Sequence, residues 1–369
     1  MRVLIYAPAA RMGGARAHVL GLVPELAALA PDDAILLLAQ PDLIAGLPPL
    51  PPTWTVHAER AHARGFFGRL AWEQGQLPRI AERWGADVLL SFGAFVPLRS
   101  NCPTVLEAGN ALPYTRAYWQ ALRRESLRLR SVEMLRWTLL RASLHAAERV
   151  LAPTRAMRQD VVLRLPELAD KVDVALWGVA PFFHQAHWRR PTGKSVLGVS
   201  KHGINKEFDV LVEALAHLPG ASIVLTGTPD ESRWSRRSAA LATRLGVQQR
   251  VCWAGDVPNP RVPALIQSAR VLVFPTWCES FGLPLAEALA MGAPAVAADI
   301  PACREVGGDV ALYYATGEAE SMAQAIETLL AADEPDRPEQ AREWAKRFSW
   351  RDNAVGVRQS LERAVRGRG

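Results

Sequence analysis

The sequence predicts an α/β protein built as two doubly wound domains facing each other across a cleft. Three observations predict it. Apolar strand-like runs alternate with helical stretches along the whole chain, the pattern of parallel sheets joined by crossover helices. The alternation halts once, over residues 181–193, where prolines, histidines and Arg189-Arg190 follow no period. A chain of 369 residues is also too long for one ordinary domain and comfortable for two.

In the first domain, residues 1–180, strands are expected at 3–7, 34–39, 54–57, 87–91, 104–106 and 149–152, with 171–176 closing the sheet before a Trp177-Gly178 turn. Helical stretches fall between them, the longest over 118–147. Residues 181–193 are the expected hinge. The second domain, residues 194–345, repeats the alternation with strands at 195–199, 222–226, 250–253, 271–274, 295–297 and 311–314. Phe348-Ser349-Trp350 then opens a last, arginine-rich helical segment over 349–369. In doubly wound sheets, ligands sit outside the carboxyl ends of the strands, so the chemistry is sought in those loops.

Composition narrows the class. Apolar residues at 49% with charged residues at 22% describe a globular chain, neither disordered nor fibrous. No apolar run approaches the ~18 residues of a membrane span, and the chain opens on Arg2-Val3-Leu4-Ile5-Tyr6 without a cationic leader, so a cytoplasmic protein is expected. The four cysteines lie far apart with no C-x-x-C pair; buried reduced thiols are the expectation, and a zinc knuckle is not. Residues 1–185 carry 21 Lys and Arg against 16 Asp and Glu, whereas the rest of the chain is nearly balanced. A basic first half fits an anionic membrane surface, a phosphate-bearing acceptor, or simply a solvated arginine-rich face. Residues 123–141 mix six arginines with Leu, Met and Trp, which admits a helix lying on a membrane. Trp119, Trp137 and Trp188 either pack or touch membrane.

The strongest signal is Pro275-Thr276-Trp277-Cys278-Glu279-Ser280-Phe281-Gly282-Leu283-Pro284-Leu285-Ala286-Glu287. Glu279 falls in the loop at the carboxyl end of strand 271–274, and Pro284 suits the first turn of the following helix, where its missing N–H costs nothing. The amides of Ser280, Phe281, Gly282 and Leu283 then gather at a helix N-terminus, a ready site for diphosphate oxygens or a sugar hydroxyl. Gly282 lets a ligand approach the backbone closely. Glu287, one turn into the helix, points back at the same ligand. Two carboxylates around an anion site make sense when they accept hydrogen bonds from hydroxyls, and a nucleotide sugar offers hydroxyls at both ends. Either glutamate alone is equally an ordinary helix-start carboxylate.

Further signals surround this one. Lys201 and Lys206 follow strand 195–199 and precede a helix over 209–218, and they are two of only five lysines in the chain. A lysine there can neutralise a leaving diphosphate; two exposed lysines at a helix start is the plainer alternative. His202 between them reads as a solvated loop histidine. Gly13-Gly14, in the loop from Pro8 through Arg11 and Met12, either makes the first strand-to-helix turn or approaches a ligand. Asn110, in Glu107-Ala108-Gly109-Asn110, can bond a sugar hydroxyl or cap a turn, and Glu107 is a rival candidate as acceptor base. No D-x-D occurs, so a metal-dependent single-domain transferase lacks its ligands.

The segment from Pro275 to Gly292, with Glu279 and Glu287 framing seven residues, resembles the E-x7-E region of glycosyltransferase family 4. Thr276 and Ser280 are mild departures from that pattern, and the likeness continues through Ile300-Pro301-Ala302-Cys303-Arg304-Glu305-Val306-Gly307-Gly308-Asp309 as in many O-antigen and exopolysaccharide enzymes. The resemblance implies the GT-B fold of two Rossmann-like domains, donor in the second and acceptor in the first, with the final helix crossing back onto the first. It implies transfer of a hexose with retained anomeric configuration and without a required metal or other cofactor. Glu279 would then contact the transferred sugar, Glu287 the donor ribose and Lys206 the diphosphate. Lys201 falls near the place of the family's arginine, with Ser200 an equal alignment, and Lys does not reproduce Arg's bidentate fork. Gly14 matches the family's glycine loop, and Asn110 stands where many relatives have histidine, making it a candidate catalytic residue beside Glu279 and Lys206.

The resulting expectation is a metal-independent glycosyltransferase using a nucleotide-diphosphate sugar, GDP-mannose by local likeness. Its acceptor would be a glycolipid or polysaccharide in bacterial surface glycan assembly, with peripheral contact at the inner membrane and no nucleic acid partner. A nucleotide-sugar epimerase of the same fold and a small-molecule glycosyltransferase are alternatives. A Rossmann oxidoreductase would show G-x-G-x-x-G after an early strand, which residues 8–14 do not supply.

Overall fold

The computed structural model describes residues 1–8, 13–93 and 95–367. It divides into two compact units, one formed by Met1–Gly178 together with the chain from Ser349 onward, the other by Val179–Phe348.

In the first unit, seven parallel strands run β1 (Arg2–Ala7), β2 (Ala34–Ala39), β3 (Trp54–Ala58), β4 (Val88–Ser91), β5 (Thr104–Glu107), β6 (Arg149–Ala152) and β7 (Val172–Val174). Their order in the sheet is β3-β2-β1-β4-β5-β6-β7. Central strands such as β4 and β5 are buried at every position, and their middles, Val88-Leu89-Leu90 and Val105-Leu106, are consecutive apolar residues and not alternating ones. Val3 in β1 registers with Ile35 on one side and Val88 on the other. One face is sealed by helix Gly13–Leu29 and the C-terminal helix Trp350–Arg366, which bury Val19, Leu22, Val23, Val357 and Leu361. The other is sealed by helix Gly65–Trp84 through Leu77 and Ala81.

The C-terminal helix is fastened by specific bonds as well as by burial. Ser349 accepts from the Asp352 amide as its N-cap (3.3 Å). Asn353 donates to the Ala175 carbonyl (2.9 Å) and Ser360 to Asp173 (2.8 Å), while Arg358 pairs with Asp33 (2.6 Å). Gly21 lies directly under Trp350, where an added Cβ would sit 2.2 Å from the indole ring.

The second unit carries six parallel strands: β8 (Ser195–Gly198), β9 (Ser222–Leu225), β10 (Val251–Trp253), β11 (Val271–Phe274), β12 (Ala295–Ala298) and β13 (Leu312–Tyr314). They are ordered β10-β9-β8-β11-β12-β13. Helix Phe208–Ala216 buries six of its nine residues against this sheet, Phe208 and Leu211 among them. At roughly 1.5–3 kcal/mol for each large apolar side chain, that burial outweighs anything its helix propensity contributes. In each sheet the strand order reverses once, between β1 and β4 and between β8 and β11. Those two reversals are the switch points where such sheets open a crevice.

Several expectations are corrected here. The stretch 118–147 is two helices, Arg116–Leu122 and Leu127–Ala146, because Ser126 leaves helical geometry and caps the second by accepting from the Leu129 amide (3.3 Å). Residues 181–193, expected as a hinge, belong to the second unit. Helix Pro181–Gln185 packs on helix Leu283–Met291, and Trp188 is buried with its indole N–H donating to the Ala269 carbonyl (2.9 Å). Cys252 is exposed, unlike Cys102, Cys278 and Cys303. Of the two alternatives given for Trp119 and Trp137, packing is observed: their rings meet edge to face, and Trp119 also donates to the Pro113 carbonyl.

Candidate functional site

The switch point of the second unit brings together the loops that follow β8 and β11, and these loops are zipped to each other. Glu207 N donates to the Pro275 carbonyl (3.1 Å) and Trp277 N to the Asn205 carbonyl (3.0 Å), with an antiparallel bridge between Lys206 and Thr276. Side chains add to the seam: Asn205 Nδ2 donates to the Cys278 carbonyl (2.8 Å), Thr276 Oγ1 to the Asn205 carbonyl (3.0 Å), and Trp277 Nε1 to the Ile204 carbonyl (2.9 Å).

This seam presents Lys206 to Glu279. Lys206 Nζ lies 2.6 Å from Glu279 Oε2, with both side chains largely buried, and 4.3 Å from the centre of the Phe274 ring. The ammonium is thus held by a carboxylate on one side and an aromatic face on the other. Glu279 Oε1 accepts from the Ser280 amide (3.1 Å). That amide, expected to face a ligand oxygen, is therefore engaged by the neighbouring carboxylate.

Helix Leu283–Met291 begins at Gly282, whose φ of 99° lies in the left-handed region. An added Cβ there would stand 3.0 Å from the Phe274 ring, so conformation and space both require glycine. As the N-cap residue, Gly282 has no side chain with which to bond the first amides of the helix. Phe281 is fully buried with its ring edge-on to Phe348, and Leu283 is buried too, so both side chains serve the core. Glu287 is only 6% exposed and makes no hydrogen bond or ion pair among the described residues. Burial pushes its carboxyl up to about 8. Glu287 is thus a buried acid without a partner among the described residues, one turn inside helix Leu283–Met291.

The remaining candidates are dispersed. Lys201 is exposed and pairs with the exposed Asp256 (2.8 Å). Asn110 is exposed in the first unit, where its Oδ1 accepts from the Leu112 amide (3.1 Å), the turn-capping bond. Gly14 lies in the first turn of helix Gly13–Leu29, while Ala9, Ala10, Arg11 and Met12 of that loop lie outside the described residues. Glu107, the rival base, accepts from Trp177 Nε1 (3.0 Å), and burial raises its carboxyl to about 8. His202 is not a solvated loop histidine: it is buried, stacked on Phe208 (4.1 Å) and bonded through Nε2 to the Thr226 carbonyl (2.9 Å). Beside it opens a cavity of about 180 Å³, lined by Lys206, Asp209, Trp234, Arg237 and Trp277 among others.

Sequence reasoning missed Asn205, Thr276, Glu207 and Tyr314. Thr276 stands in the family-like segment without a role of its own there, and only the pairing of the two loops shows what these four side chains do.

Two Rossmann-like parallel sheets of this order make the protein a GT-B fold. HepE of Anabaena, solved in complex with UDP-glucose, superposes with a TM-score of 0.75 at 18% identity, over 98% of this chain and 99% of that one. Residues 193–332 match the family model for group 1 glycosyl transferases, and the second unit is a domain of that family. The D-inositol 3-phosphate glycosyltransferase of Mycobacteroides abscessus is 32% identical over 161 residues, 42% of this chain and 36% of that protein. The O-antigen chain mannosyltransferase B of Escherichia coli is 34% identical over 100 residues, 27% of this chain and 26% of that protein. The chain thus spans little more than a third of the first of these relatives and about a quarter of the second.

Proposed function

We propose that this chain is a retaining glycosyltransferase that moves a hexose from a nucleotide-diphosphate sugar, held by the second unit, to a glycolipid or polysaccharide acceptor. The observation that carries the reading is the Lys206–Glu279 pair at the switch point, with the unpartnered Glu287 in the adjoining helix. In this reading Lys206 and the helix N-terminus stabilise the diphosphate as it departs from the same face on which the acceptor arrives. Glu279, already paired with an ammonium, orients the sugar and forms no bond to it. Glu287 accepts hydrogen bonds from the ribose hydroxyls. Negative charge growing on the diphosphate is met by a fixed cation, so no divalent metal is required. GDP-mannose is the preferred donor, in keeping with the mannosyltransferase named above, and UDP-glucose, bound by HepE, is its competitor.

The test is turnover of a panel of nucleotide sugars, followed by nucleotide release. Lys206→Ala should lower kcat on the order of 100-fold, and exhaustive chelation should leave the native rate unchanged. Native kcat in Lys206→Ala would remove the active site from this place. Loss on chelation, restored by magnesium or manganese, would end the metal-free mechanism.

Peripheral membrane contact belongs to the same proposal. No helix among the described residues is long and apolar enough to cross a membrane. Helix Leu127–Ala146, however, buries only Ser143 and Leu144, and it exposes Leu127, Val132, Met134 and Leu135 between arginines. Exposed apolar residues flanked by cations suit an anionic lipid surface. The chain should float with phosphatidylglycerol vesicles and not with phosphatidylcholine ones, and Leu127→Asp with Met134→Asp should abolish flotation. Equal flotation with both lipids, or in the double variant, would dismiss this surface.

A further inference from the structure

We infer that Tyr314 and Glu207 are positioning residues that set Lys206 against the diphosphate of a bound nucleotide. The inference rests on the reading of the switch point as a nucleotide-diphosphate site and assigns the groups that hold its cation in place.

Tyr314 ends β13, two strands away from β11, and is fully buried. Its hydroxyl donates to Glu207 Oε2 (2.6 Å) and accepts from the Thr276 amide (3.1 Å). One oxygen therefore bonds both loops of the site, at the residue after Lys206 and at the residue bridged to Lys206. Glu207 also accepts from the Gly317 amide, which ties the end of β13 into the same knot.

Glu207 occupies the N-cap of helix Phe208–Ala216, yet its side chain makes no capping bond there. It gives up the local use that position offers and turns to Tyr314 instead. Burial holds its carboxyl above the ordinary range, so the arrangement costs stability that an apolar residue would not. A buried polar network kept at such a cost and fully bonded specifies geometry. The geometry at stake is that of Lys206, a long side chain whose ammonium is useful only within hydrogen-bond reach of a phosphate oxygen.

The experiment compares UDP with UMP, and GDP with GMP, by calorimetry on the full chain. Lys206 distinguishes the two members of each pair, because only the diphosphate carries the second phosphate. The native chain should bind one diphosphate roughly tenfold more tightly than its monophosphate, the scale of one charge-assisted bond. Tyr314→Phe keeps the ring volume and removes both bonds, and it should cut that preference to about threefold or less with monophosphate affinity unchanged. Glu207→Ala should do the same. Glu207→Gln, whose amide oxygen still accepts from Tyr314, should restore most of the preference. In a Lys206→Ala background the preference should already be gone, and adding Tyr314→Phe should change nothing further.

A native preference in Tyr314→Phe would overturn the inference. So would equal weakening of both nucleotides, which is the mark of a merely structural role. If the native chain bound no nucleotide, the reading of the site would fall. If it bound nucleotides without preferring the diphosphate, the placement of Lys206 would fall and this inference with it. Should Tyr314→Phe fold poorly, the contrast between Glu207→Ala and Glu207→Gln decides the question alone.

Discussion

Glu287→Gln should make the chain more stable above pH 8 and a poorer binder of nucleotide at the same time. In the folded chain the Glu287 carboxyl is held at about 8, against an ordinary value of 4.5. Between those two values the folded chain keeps a proton that the unfolded chain releases. The contribution of Glu287 to stability is therefore fully present below about pH 4.5 and is lost as pH rises through 8. A shift of this size corresponds to a loss of up to about 5 kcal/mol, an upper figure because a buried carboxylate draws in water when it ionises. Glutamine carries no charge and escapes the loss. The melting difference between the variant and the native chain should thus be small at pH 5 and grow towards pH 9. Glu107 adds its own slope, but it does so in both proteins and cancels in the difference. On the binding side, the neutral Glu287 carboxyl offers two oxygens to hydroxyls where glutamine offers one, and losing a neutral bond of about 0.5–1.5 kcal/mol should raise donor KM roughly 2- to 10-fold. A melting difference that ignores pH would show that Glu287 is not a lone buried acid. Unchanged KM would show that it does not meet the donor.

Gly21→Ala should destabilise the first unit, against what helix propensity alone predicts. In an exposed helix interior, replacing glycine by alanine is favourable by about 1 kcal/mol. At Gly21 the new methyl would stand 2.2 Å from the Trp350 ring, and the indole is fixed against His18 (5.4 Å) and the Gly178 turn. Either the ring or the whole C-terminal helix must move, and overpacking of this kind costs about 1–3 kcal/mol or more. Peptides covering 350–366 should lose hydrogen-exchange protection in the variant, while those of β8 and β11 keep theirs. Native protection over 350–366 with an unchanged or raised melting temperature would mean that the contact is softer than described.

Much of this architecture was legible from residue order. Strands were expected at all thirteen places, most plainly at β1, β2, β11 and β12, whose burial leaves an almost unbroken apolar run. Lys206 and Glu279 were each legible as candidates. Their contact across 73 residues follows from the sheet order, which sets the β8 and β11 loops side by side at the switch point. The break at Ser126 was hidden because Arg, Glu and Ser all sit acceptably on a helical surface until a cap is formed. His202 was misread as solvated because nothing local announces that Phe208 and Trp253 will enclose it. Tyr314 and Glu207, 107 residues apart, belong to an edge strand and a helix start. Each looks ordinary until the loops meet.

The path of the chain has a consequence for the order in which the protein assembles on the ribosome. The second unit is inserted between Gly178 and Ser349, and its ends are clasped where Val179 N donates to the Phe348 carbonyl (3.0 Å). Everything that unit needs has been synthesised before the C-terminal helix emerges. The first unit, although begun first, keeps the apolar face of helix Gly13–Leu29 uncovered until Val357 and Leu361 arrive to close it. The usual amino-to-carboxyl succession of domain folding is thereby reversed. Helix Gly13–Leu29 is made before the whole second unit and covered only after it, so its apolar face stays exposed for the time that unit takes to be synthesised.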